Sequence, residues 1–122
     1  MAKNKIIVIE DEPDYQEGWV EFIPELDVEI INDPDEFFDS YPFGSSLENV
    51  EYIILDFKFD TYNAEDKEIL SYIRQDLKYR GKIAIWSLED DLPTEVFNHC
   101  DAVLPKKLLT LKELKLCFTK NT

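Results

Sequence analysis

Five short apolar runs, each stopped by a polar residue and followed by a stretch of helical or loop character, constrain this chain more than any other feature. They are Ile6-Ile7-Val8-Ile9, Val28 to Ile31, Val50-Glu51-Tyr52-Ile53-Ile54-Leu55, Lys82-Ile83-Ala84-Ile85-Trp86 and Ala102-Val103-Leu104. Short runs rich in β-branched residues read as strands. Strands that alternate with helices predict an α/β fold with a mostly parallel sheet covered on both sides. The polar ends of such strands share one sheet edge, where open α/β sheets bind their ligands.

The segments between the runs carry helix signals. Pro13 and Asp14 suit an opening turn, after which Tyr15, Trp19, Phe22 and Ile23 recur on one face until Pro24 stops the helix. Asp33-Pro34-Asp35-Glu36 offers an N-cap acid, proline at the first helical position and a glutamate at the third. Phe37, Phe38 and Tyr41 supply the apolar side of that helix, and Pro42 to Ser46 reads as a loop. Helical spacing resumes with Ile69, Leu70, Ile73 and Leu77 and closes at Gly81. Pro93 and Thr94 open a short helix carrying Val96 and Phe97. Thr110-Leu111-Lys112-Glu113 is a capping box, and Leu111, Leu114, Cys117 and Phe118 mark one face of the last helix. The expectation is a (βα)5 chain forming a single domain over 1–122, with no output domain, no internal repeat and no low-complexity segment.

Charge narrows the function. The 122 residues carry a net charge of −14. Residues 1–66 hold 19 Asp+Glu against 3 Lys, whereas residues 67–122 hold 8 acids against 10 Lys+Arg. A phosphate polyanion would be repelled by the first half, which argues against direct nucleic-acid binding. No apolar run approaches the roughly 18 residues of a membrane span, and no signal-peptide pattern opens the chain, so a cytoplasmic location away from membranes is expected. Cys100 and Cys117 have neither metal-ligand spacing nor a disulfide framework and read as reduced thiols.

The strand ends collect chemistry. The first is followed by Glu10-Asp11-Glu12, the third by Asp56, the fourth by Ser87, and the fifth, past Pro105, by Lys106. Singly, these are ordinary: acids cap helices, a serine sits in a turn and a lysine faces solvent. Brought to one edge, they gather carboxylates, a hydroxyl and an ammonium in one crevice.

The pieces Ile7-Val8-Ile9-Glu10-Asp11-Glu12-Pro13, Ile53-Ile54-Leu55-Asp56, Ile83-Ala84-Ile85-Trp86-Ser87 and Asp101-Ala102-Val103-Leu104-Pro105-Lys106 give the chain its family likeness. In this order and spacing, the sequence resembles the receiver domain of two-component response regulators over nearly its whole length. The resemblance implies a flavodoxin-like three-layer sandwich with a five-stranded parallel sheet in the order 2-1-3-4-5. It also implies that Asp56 is the phosphoacceptor, and that Glu10, Asp11, Asp56 and the main-chain carbonyl of Lys58 hold Mg2+ or Mn2+. Oxygen-only ligands agree with those ions. Lys106 would pair with a phosphoryl oxygen and Ser87 would hydrogen-bond another.

The implied partners are a histidine kinase or phosphotransfer protein and a separate downstream protein. The chain would be a phosphorelay module rather than an enzyme acting on an outside substrate. An aspartyl phosphohydrolase of similar sheet would need an acid two residues after the nucleophile, where this chain has Lys58.

Four positions depart from the family pattern. Lys107 replaces the proline after the lysine, Val103 replaces an aromatic residue, Leu88 a small residue and Ala64 a glycine. These departures favour an alternative, a receiver-like interaction module that works without phosphorylation. Lys58 and Glu89 flank the site as a candidate ion pair that slows loss of the phosphoryl group. Lys106, Lys107, Lys112, Lys115 and Lys120 form a basic region around the last strand and helix, a solvated face or a dock for an acidic partner.

Overall fold

The computed structural model describes residues 4–56, 69–87, 99–105 and 107–119. Its five strands are β1 (Lys5–Ile9), β2 (Asp27–Ile31), β3 (Val50–Asp56), β4 (Lys82–Ser87) and β5 (Ala102–Pro105). All pairings are parallel and the order is β2-β1-β3-β4-β5, the expected flavodoxin-like arrangement. The described helices are α1 (Pro13–Phe22), α2 (Pro34–Ser40), α3 and α4 (Leu111–Thr119). The described part of α3 consists of residues 69–71 in α conformation and the π-turn Tyr72–Asp76. The short helix expected from Pro93 falls outside the described residues.

Strand alternation sends side chains to two separate layers. Ile7, Ile9, Ile53, Leu55, Ile83 and Ile85 pack with Phe37 of α2 and Ile69, Leu70 and Ile73 of α3. Ile6, Val8, Ile54, Ala84 and Leu104 point the other way, onto Trp19 from α1, Ile23 just after it, and Leu114 and Phe118 from α4. Fully burying such a side chain contributes roughly 1.5–3 kcal/mol. Rings dominate both layers. Trp86 meets Tyr15 edge-on at 4.8 Å and Trp19 at 5.4 Å, while Phe38 meets Tyr72 at 4.8 Å and so joins α2 to α3. Cys100 packs against the first layer and Cys117 against the second, so the sheet separates the two thiols.

The expected caps form. Asp33 accepts the Glu36 amide at 2.8 Å, and Thr110 and Glu113 exchange the reciprocal bonds of a capping box at 3.2 and 2.9 Å. Glu36 does not bond back to its own N-cap residue; its carboxylate takes the Asn32 amide at 2.6 Å instead.

Two expectations are corrected. Phe22, placed on the buried face of α1, is 40% exposed. Gly81 does not close α3. Lys78 takes the left-handed position (φ 56°), so that the Tyr79 amide turns back to the Ile73 carbonyl at 3.0 Å. Lysine there costs roughly 1 kcal/mol relative to glycine. Gly81 is needed for a different reason: a Cβ on it would lie 2.1 Å from the Tyr79 hydroxyl.

Arg74, which no sequence signal singles out, ties the amino ends of β4 and β5 to α3. Nε donates to the His99 carbonyl at 2.9 Å, and Nη1 to those of Tyr79 and Gly81, each at 2.9 Å. Nη2 meets Asp101 Oδ2 at 2.7 Å, and the same oxygen accepts the Ile83 amide at 2.8 Å. No helix of the described residues is long and apolar enough to cross a membrane.

Candidate functional site

The register of the sheet decides which residues meet. Ile9, Leu55, Ile85 and Val103 lie in one row across β1, β3, β4 and β5. One step further along are Glu10, Asp56, Trp86 and Leu104. The order of the strands reverses between β1 and β3, so Glu10 and Asp56 flank the topological switch point, where crevices open in sheets of this type.

Glu10, Asp11 and Asp56 each bring a carboxylate oxygen within 4.8 Å of the other two. Glu10 is almost fully buried at 1% exposure, Asp56 is half-buried with Oδ2 buried, and Asp11 is exposed. The cluster is therefore graded from the sheet interior to solvent, with Asp11 at its mouth.

Local structure fixes the deepest member. The Glu10 amide extends the β1–β2 ladder by donating to the Ile31 carbonyl at 2.9 Å. Its Oε1 accepts the Glu12 amide at 2.9 Å, just before α1 begins at Pro13. Gln16 Nε2 donates to the Glu10 carbonyl at 2.6 Å and to Asn32 Oδ1 at 2.8 Å. Carboxylate, carbonyl and amide of Glu10 are thus all held, and its side chain needs no reorganisation to present an oxygen. Gln16 lies six residues from Glu10, a spacing that gives no reason to pair them from sequence.

Ser87 is the last residue of β4, paired with Pro105 at the end of β5. The backbone thus brings the end of β4 beside the point from which Lys106 continues. Lys106 itself, Lys58, Leu88, Glu89 and Ala64 lie outside the described residues, as does the proposed Lys58–Glu89 pair. Val103 is 38% exposed on β5. Of the basic region, Lys107, Lys112 and Lys115 are exposed.

A further residue at this edge escaped the sequence reading. Trp86 is fully buried, and its indole Nε1 donates to the Lys107 carbonyl at 2.9 Å. This bond ties the chain just past Lys106 to the strand beside Asp56. An indole donor calls for a partner when buried, but nothing in the sequence says which carbonyl it finds.

Three carboxylates this close repel one another. Unit charges about 4.8 Å apart interact with roughly 3.5 kcal/mol at an effective dielectric of about 20. Oxygen-only, mostly anionic donors at such spacing suit a hard divalent ion, and magnesium in particular is bound by a few carboxylates together with phosphate oxygens. The residues present therefore fit the metal that the sequence resemblance implies.

No family model matches the sequence, and no curated protein matches it. The fold aligns with the crystal structure of a response regulator from Thermotoga maritima, with a TM-score of 0.70 over 96% of this chain and 98% of that one. Sequence identity between the two is 14%, so the likeness is one of fold.

Proposed function

We propose that this receiver-like fold is a phosphoacceptor module in which Asp56 takes up a phosphoryl group and a separate partner protein reads the result. The observation that carries the reading is the convergence of Glu10, Asp11 and Asp56 at the switch point of a 2-1-3-4-5 sheet.

Glu10, Asp11 and Asp56 would hold Mg2+ or Mn2+, together with the Lys58 carbonyl that the family resemblance supplies. Bound there, the ion offsets the repulsion between a carboxylate and a phosphate dianion and orients the phosphoryl oxygens. Asp56 is the nucleophile. One of its oxygens attacks phosphorus in line with the leaving group of a phosphohistidine donor. The phosphorus–nitrogen bond breaks, its electron pair stays on the imidazole, and Asp56 becomes a mixed anhydride. Glu10 stays in place because its hydrogen bonds to α1 and β2 are already made. Lys106 pairs with one phosphoryl oxygen and Ser87 donates to another, so the modification biases the segments that follow β4 and β5. Trp86 positions the second of these through its bond to Lys107.

The donor would be a histidine kinase or a phosphotransfer protein, and the reader a separate protein.

Intact-mass measurement after incubation with magnesium and acetyl phosphate tests the reading. One adduct of about 80 Da, the mass of a phosphoryl group, is expected, and it should need both magnesium and Asp56. Failure of the wild-type chain to gain mass, with beryllofluoride also failing to bind, would point to an interaction module that works without phosphorylation. An adduct that persists in Asp56→Asn would place the site elsewhere.

A further inference from the structure

At the sheet edge opposite the carboxylates, the loop after α2 and the segment joining α3 to β4 enclose a groove of about 440 Å³. Its floor is apolar. Leu47, Leu77 and Tyr79 are buried there, and the Tyr79 hydroxyl is committed to the Val50 carbonyl at 3.1 Å. Lys78 and Arg80 line one side, both exposed. Among the described residues, neither side chain makes an ion pair or hydrogen bond, in contrast to Arg74 next to them. Ser45 and Ser46 line the other side, with Glu48 as the one acid of the groove. A second hollow of about 400 Å³, bordered by Arg74, Lys78, Tyr79 and Arg80, adjoins it.

The backbone adds an independent sign. Lys78 is the one non-glycine residue with positive φ among the described residues. Helix ends of this form favour glycine, so a long cation held there points to a use for the side chain.

We propose that this groove binds a small organic anion that carries one phosphate-ester or carboxylate group on an apolar body. The size, about 440 Å³, lies within the range of small-ligand sites. Two cations against one acid leave a single net positive charge, which matches one anionic group and disfavours a polyphosphate. Lys78 and Arg80 take the charged head, the serine hydroxyls offer further donors, and the apolar body rests on Leu47, Leu77 and Tyr79. The cations stand out because the chain as a whole is strongly acidic, at −14. This site shares no residue with the Asp56 cluster and does not depend on its chemistry.

The test titrates the full chain, carrying Asp56→Asn and kept in chelator so that the acidic cluster takes no part, with phenyl phosphate, benzoate and the uncharged benzyl alcohol. Amide shifts followed by NMR should saturate at residues 45–48 and 77–80 with phenyl phosphate, with benzoate, or with both. The better of the two probes identifies the head group. Lys78→Gly should weaken that probe at least about tenfold, as expected for loss of one charge-assisted contact, while raising the melting temperature because the left-handed strain is gone. Arg80→Ala should weaken it similarly and Arg80→Lys should restore part of the loss. A merely structural role for Lys78 cannot give tighter folding and weaker binding together. The proposal is overturned if neither anion produces saturable shifts up to about 10 mM, a range that reaches millimolar ligands. It is equally overturned if Lys78→Gly leaves the affinity unchanged, or if benzyl alcohol binds as well as the anions.

Discussion

Replacing Arg74 by methionine keeps an apolar stem of similar length and removes a guanidinium that makes four hydrogen bonds, three of them to backbone carbonyls. Bonds from a charged donor are worth about 1.5–3 kcal/mol each, but adding four of them overstates the loss. The Arg74 and Asp101 side chains are 20% and 34% exposed, so water recovers part of what the variant gives up, and an exposed pair alone is worth at most about 1 kcal/mol. Three carbonyls losing a shared donor, at about 1 kcal/mol each, set the expected destabilisation at about 3 kcal/mol. With an unfolding entropy of about 2.1 cal/mol/K per residue over 122 residues, that lowers Tm by about 12 °C. Urea unfolding followed by circular dichroism would measure it, with an unchanged slope confirming that the native compactness is retained. Asp101→Asn keeps an oxygen for the Ile83 amide and loses only the charge, so it should cost about 1 kcal/mol. A loss below about 1 kcal/mol for Arg74→Met, or a larger loss for Asp101→Asn than for Arg74→Met, would show that this network does not hold the amino edge of the sheet together.

Three further outcomes are expected. Gly81→Ala should displace the buried Tyr79 ring and break its bond to Val50, costing about 2–4 kcal/mol by chemical denaturation, whereas the same change at an ordinary loop glycine is stabilising or neutral. Asp56→Asn should raise Tm in chelator by relieving repulsion within the carboxylate cluster, and should abolish a magnesium-dependent gain of about 1.4 kcal/mol at ten times the dissociation constant, read by thermal melts with and without the ion. Burial, with Asp101 adding to it, pushes the Cys100 thiol from 9.0 up to about 11, so alkylation in mildly alkaline buffer, followed by mass, should run roughly 100-fold slower than for a free thiol. Its linkage has the matching sign. Below the unfolded value both states keep the proton and stability is intact; as pH rises from 9.0 toward about 11 the unfolded chain loses its proton first and stability falls, a slope that Cys100→Ala should reduce.

Much of the architecture could be read from periodicity, because burial on both faces of a parallel strand leaves a plain mark: an apolar run and then a polar stop. Asp33 and Thr110 announced their helices because a cap is a local device, made within four residues of the chain. The carboxylate cluster was legible for a related reason, since the parallel topology alone carries Glu10 and Asp56 to adjacent strand ends. What escaped was long-range and side-chain specific. Arg74 reaches the His99 carbonyl across 25 positions and Trp86 reaches that of Lys107 across 21, and a carbonyl acceptor has no residue-type signature. Gly81 misled because glycine near a helix end has two physical uses, left-handed backbone and room for a neighbour, and here it serves the second. Phe22 was misplaced since helical spacing alone cannot decide which rim of an apolar stripe stays wet.

The division of the core by the sheet has a consequence for how this molecule can be watched. Both of its tryptophans, Trp19 and Trp86, lie in the same layer, in edge-on contact. Intrinsic emission is therefore a one-sided reporter. It will register events among α1, α4 and the chain beyond β5, and will be largely silent on loosening of the Phe37–Tyr72 side or on a ligand resting against Tyr79. A tryptophan introduced in place of Phe38, at the half-buried contact between α2 and α3, would give the other half of the protein its own signal. Unfolding traces that diverge between the two probes would then reveal that the layers come apart in sequence rather than together.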